Sequence, residues 1–218
     1  MREKRYSSEL NEKLAKFLHG NVLDQAVLTF EPSLNVDDVA MLSKQAVLAG
    51  MQIFQERHEK RFYWLNRDRS QINIANYFNV QITGEPRGEL ISLDMFLGPC
   101  YDFSTKRLVA TPLTRQSKIE IMQWCESHGL EDSRVGYSYA YVDPPYGLKV
   151  KGDECNLLFN QFLEMLFYNF EHDSVIYSWS DDWSNYFDAG KEWWGTFCWS
   201  VLIKEKSEVV VVAASTSD

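Results

Sequence analysis

The stretch Thr196-Phe-Cys-Trp-Ser-Val-Leu-Ile203, Lys204-Glu-Lys-Ser207, Glu208-Val-Val-Val-Val-Ala-Ala214 decides the fold. Two runs rich in β-branched and aromatic residues flank four polar ones. That separation suits a hairpin connection and is far too short for the crossover a parallel pair needs. The pair is therefore expected to be antiparallel, and Val175 to Trp179 upstream has the same strand-like composition.

Around these strands, helical and strand-like segments alternate irregularly. Glu154 to Asn169 has apolar residues at helical spacing, and Arg134 to Val142 alternates as a strand that Asp143-Pro-Pro-Tyr-Gly147 terminates, because neither proline can donate to a ladder. Ser117 to Ser127 reads as a helix whose Ser117 and Glu120 are spaced as a capping box. Arg107 to Ala110 reads as a short strand. Tyr77 to Thr83 and Glu89 to Phe96 flank Gly84-Glu-Pro-Arg-Gly88, the composition of a hairpin turn. Arg61 to Leu65 reads as a strand, Asn66 to Asn73 as a loop, and Val36 to Arg57 as a helix with Asn35 at its cap and the stripe Val39, Leu42, Ala46 and Met51. Ala26 to Phe30 is β-like and Ser7 to His19 helical. Strands with short connections outnumber βαβ alternations, so the expected class is α+β: a single compact domain over residues 1–218, with a mainly antiparallel sheet and about four helices. The one candidate boundary lies near 66–76.

The chain has 218 residues, 45% hydrophobic and 24% charged, and a formal net charge of -9. That is enough apolar material for a real core, and the acidic balance argues against a broad phosphate-binding surface, so nucleic acid is not an expected partner. Residues 1–70 hold 11 basic and 10 acidic side chains, whereas the rest holds 11 and 21. The negative excess therefore belongs to the last two-thirds. The most apolar helical run, Leu157 to Phe170, is broken by Asn160, Gln161, Glu164 and Asn169 and is too short to span a bilayer. The charged N-terminus has no secretory pattern and the four cysteines are widely spaced, so the expectation is a cytoplasmic protein with reduced thiols and no membrane association.

Asp143-Pro144-Pro145-Tyr146 resembles the D-P-P-Y motif of DNA adenine-N6 methyltransferases. The resemblance implies that the acid and a proline carbonyl hold the target amino group while Tyr146 stacks on a flipped base. It also implies a Gly-rich loop for S-adenosylmethionine, for which Phe96-Leu-Gly98-Pro99-Cys100 is the nearest counterpart, with proline and cysteine where turn glycines belong. Gly136-Tyr-Ser138-Tyr-Ala140 approaches the nucleophile elbow of α/β-hydrolases, but bulky rings flank the serine and the alternation runs through it. Cys125 and His128 have the spacing of half a metal site, with no second local pair. No phosphate-binding loop, dinucleotide fingerprint or H-E-x-x-H sequence occurs. No catalytic residue, metal or cofactor is assigned on this basis.

The densest feature is Tyr177 to Trp199, where nine of 23 residues are aromatic and five of the seven tryptophans fall. It reads as a long connection between two strands. Trp179 and Trp199, at strand ends, belong in the core; Asp181, Asp182, Trp183, Tyr186, Asp188, Glu192, Trp193 and Trp194 form the candidate partner-binding set. Exposed rings would supply contact area and the acids would pair with Lys or Arg. The expected function is a non-enzymatic binding protein, of immunity or antitoxin type, that occludes a basic protein partner such as a toxin. The alternatives are the methyltransferase chemistry above and a carboxylate-based hydrolase pairing Asp181 or Asp182 with Glu192.

Overall fold

A computed structural model describes residues 1–4, 22–31, 39–65, 80–109, 113–130, 135–145, 147–167, 174–192 and 194–215. Eight strands form in chain order: β1 (Arg2–Glu3), β2 (Leu23–Thr29), β3 (Gly88–Ile91), β4 (Tyr101–Asp102), β5 (Arg107–Leu108), β6 (Ser174–Trp179), β7 (Thr196–Ile203) and β8 (Glu208–Ser215). The helices are α1 (Val39–Leu65), α2 (Leu93–Leu97), α3 (Arg115–Ser127), α4 (Gly136–Val142) and α5 (Gly152–Phe167). Six strands make one sheet in the order β1-β2-β8-β7-β6-β3, and β4 and β5 pair separately. Every pairing is antiparallel, so the chain is a single α+β domain of the expected class.

The β7–β8 hairpin forms as expected, with Ile203 opposite Glu208 and a left-handed residue, Ser207, closing the turn. Residues Glu208 to Ala214 of β8 are all buried, which explains an apolar run where a half-exposed strand would alternate. Val209, Val211 and Ala213 face one core with Leu42, Ala46, Val47, Met51 and Phe54 of α1. Val210, Val212 and Ala214 face the other, with Tyr137 of α4 and Phe159, Phe162, Leu163, Leu166 and Phe167 of α5. The molecule is thus three layers: α1, the sheet, and α2 to α5.

Four expectations are corrected. Arg61 to Leu65 is not a strand but the last part of α1. Arg134 to Val142 contains α4 instead of a strand. Its Tyr137, Tyr139 and Tyr141 imitate period two, yet Tyr137 and Tyr141 sit one helical turn apart against Phe159 while Tyr139 turns toward Phe197. A helix buried all round carries no polar stripe to reveal its period, and all seven α4 residues are buried. Among the described residues the hairpin expected around Gly84 to Gly88 does not form: β3 pairs with β6, Ile82 makes an isolated bridge to Ser184, and Phe96 lies in α2. The α3 cap lies upstream of the expected one, where Thr114 and Ser117 form the reciprocal capping box. The 7–19 helix, the Asn66 to Asn73 loop and the 66–76 boundary lie outside the described residues. No described helix is long and apolar enough to cross a membrane.

Candidate functional site

The connection between β6 and β7 is pinned at each end and along its length. Ser180 N–H donates to the Arg87 carbonyl, Thr83 N–H to the Trp183 carbonyl and Gln81 N–H to Asn185 Oδ1 at 2.7 Å. Ser184 caps a short 3-10 turn, Asn185–Phe187, by accepting from Tyr186 N–H. Gly190 N–H donates to Ser215 Oγ at 2.9 Å, and Gly195 N–H returns to the Gly190 carbonyl. These bonds satisfy part of the connection's backbone without making it a further strand of the sheet.

Its rings anchor it in both cores. Trp183 is fully buried beside Phe187, with ring centroids 5.5 Å apart, in the core under α1. Trp194 is buried in the opposite core against Phe197, and its indole N–H donates to the Asp143 carbonyl at 2.7 Å. Trp183 and Trp194 therefore present no ring face at the surface, because the volume they fill is interior. Tyr186 is half-buried, touches Phe54 and Phe187, and donates its hydroxyl to Asp24 Oδ2 at 2.8 Å. Burial first, then the Asp24 charge, pushes the Tyr186 phenol well above its ordinary pKa.

The acids divide differently. Asp182 is exposed and ion-paired with Arg87; hydrogen bonds from Arg87 and Ser180 hold its carboxyl below the usual range. Asp188 is exposed beside Lys191, at 3.2 Å. Asp181 is half-buried and accepts from Thr196 Oγ1. The Glu192 side chain and Trp193 lie outside what is described. The described part of the set is thus a loop with rings inward and two carboxylates, Asp182 and Asp188, at solvent. Asp181 and Asp182 are each engaged by a donor on the protein itself, Thr196 and Arg87 respectively.

The remaining motifs resolve locally. Asp143 is the C-cap of α4 rather than the end of a strand, and Tyr146 is not described. Phe96-Leu-Gly98-Pro99-Cys100 spans the end of α2, where Phe96, Leu97, Gly98 and Cys100 are buried and Gly98 packs against Gly136. Ser138 is fully buried and donates to the Leu97 carbonyl at 2.6 Å. Cys125 is buried, His128 stacks on Trp124 at 3.9 Å, and no group of three or more metal-ligating side chains gathers among the described residues.

One constellation escaped the sequence reading. Asp24 on β2 receives His58 Nε2 from α1 at 2.7 Å and the Tyr186 hydroxyl on the same oxygen. The three residues come from separate elements, so no spacing announces them. The available signal was an acid interrupting an apolar strand. The neighbouring Gln25 points to the other face and donates to Tyr137 Oη at 3.0 Å, while Arg57 binds the Gln25 carbonyl. Asp24 fastens the aromatic connection to both the sheet and α1. No protein family, curated protein or solved structure matches the chain.

Proposed function

We propose that the protein is a non-catalytic binding protein, of immunity or antitoxin type, whose carboxylates Asp182 and Asp188 dock on a basic protein partner. The observation that carries this reading is a rigid acidic display: two solvent-facing carboxylates stand on a connection whose rings and backbone are held in place. A surface already fixed before encounter loses little conformational entropy on binding, so its charges contribute more to affinity. The role of the rings therefore changes from contact area to anchorage. The acidic excess beyond residue 70 adds long-range attraction for a cationic partner.

The test is capture from a lysate of the source cells on immobilised protein, comparing wild type with Asp182→Lys, Asp188→Lys. A basic protein retained by wild type, eluted by salt, and lost from the double variant supports the reading. Undiminished capture by a variant with unchanged melting temperature overturns it.

A further inference from the structure

The acidic connection borders one edge of the six-stranded sheet, formed by β3. In an antiparallel ladder, alternate residues turn both backbone groups toward the partner strand and the others turn them away. Ser180 N–H donates to the Arg87 carbonyl, so the hydrogen-bonded pairs with β6 are Arg87/Ser180, Glu89/Ser178 and Ile91/Ile176. Gly88 and Leu90 therefore direct their N–H and C=O groups outward. Among the described residues no strand pairs with that edge.

The edge strand is short, four residues, and carries one acid, Glu89, but no lysine and no proline within the strand. Leu90 is 64% exposed, the most exposed large apolar side chain among the described residues, and it stands on the α1 face opposite Tyr177. On that face Trp179 lies over Gly88, where a Cβ would meet its ring at 2.7 Å, so the strand is backed by a flat indole. Glu89 points to the opposite face and is exposed.

We infer that β3 is the docking strand for the basic partner: an extended segment adds to the sheet at Gly88–Ile91, placing a Lys or Arg opposite Glu89 and an apolar side chain beside Leu90. This deepens the reading above and rests on it. Charge selects the occupant. Lys44 pairs with Glu85 and Arg87 with Asp182, which leaves Glu89, exposed on the strand itself, and Asp94 just beyond it as the acids not matched by those cations. A second copy is disfavoured, since the two-fold register that pairs Gly88 with Leu90 would set Glu89 directly against its own copy, between chains of net charge -9. A cationic strand meets neither obstacle. Affinity then comes from main-chain hydrogen bonds and register from the alternating side chains.

The probe is a synthetic peptide of four Lys-Val repeats, blocked at both ends, titrated into the full chain by calorimetry, with a Glu-Val peptide of equal length as control. Saturable binding of the Lys-Val peptide alone, with amide exchange at Leu90 slowed about tenfold, is the expected result. Leu90→Pro removes an N–H that the sheet does not use, so it should leave melting unchanged and weaken binding about tenfold or more. Glu89→Lys, which keeps the backbone intact, should weaken binding similarly and decides the matter if the proline variant does not fold. Binding indifferent to both variants, no saturation at about 1 mM, or sedimentation showing the edge consumed by a second copy overturns the inference. In the capture experiment, recovery that survives Leu90→Pro but not the Asp182, Asp188 reversal removes the docking strand alone; recovery that survives the reversal removes the wider reading.

Discussion

Among single residues, Gly98 and Gly136 carry a tight constraint, a contact of one backbone with the other. Gly98 adopts φ 73° and ψ -179°, a region open almost only to glycine. A Cβ there would lie 2.7 Å from the Val135 carbonyl oxygen, and one on Gly136 would lie 2.5 Å from Gly98 Cα. Two backbones thus touch where α2 ends and α4 begins, and Ser138 reinforces the contact through the Leu97 carbonyl. Gly98→Ala combines a forbidden conformation with a clash that only backbone movement relieves, so it should cost about 3 kcal/mol or more in urea unfolding. A loss below about 1 kcal/mol would show that the close approach is not required. In the sequence these glycines read as turn punctuation and part of an elbow-like motif, because a backbone contact between distant segments leaves no local pattern.

At the scale of elements, the aromatic connection separates into anchors and display. Trp183→Ala empties a fully buried site and should cost about 3–5 kcal/mol. Asp188→Lys, on the exposed side of the same connection, should change stability by less than about 0.5 kcal/mol. Equal effects in thermal or urea unfolding would contradict that division. The segment and its flanking strands were legible in composition, but which ring faced inward was not. Trp183 and Trp194 differ from an exposed aromatic only through what packs on them: α1 and the sheet for one, Phe197 and the end of α4 for the other. The α4 strand reading failed for the same reason, since burial on every side erases the periodicity that distinguishes helix from strand.

At the scale of the whole molecule, two cores share one sheet, so loosening either should open the other. The four cysteines report on this, being buried on both faces and in no disulfide. Burial, with Asp143 as a second influence, pushes the Cys100 thiol up to about 12, and burial alone raises Cys198. A thiol reagent at pH 8 should therefore label the native protein only as fast as it unfolds, and Trp183→Ala should accelerate all four sites together. One cysteine reacting at the rate of a free thiol, or acceleration confined to Cys198 in the core under α1, would show that the layers open independently.

The sequence by itself determined the class and the central strands: the four-residue link between β7 and β8 forces an antiparallel pair, and the unbroken apolar run of β8 requires cover on both faces. It also located the aromatic connection and the acidic excess, because composition is a local property. Only the tertiary structure decided that the rings face inward, that Asp24, His58 and Tyr186 meet, and that β3 lies at an edge beside β6. Those facts depend on strand order and on contacts across scores of intervening residues, which the hydrophobic effect drives without specifying partners, since it is non-directional and shape complementarity makes the final selection.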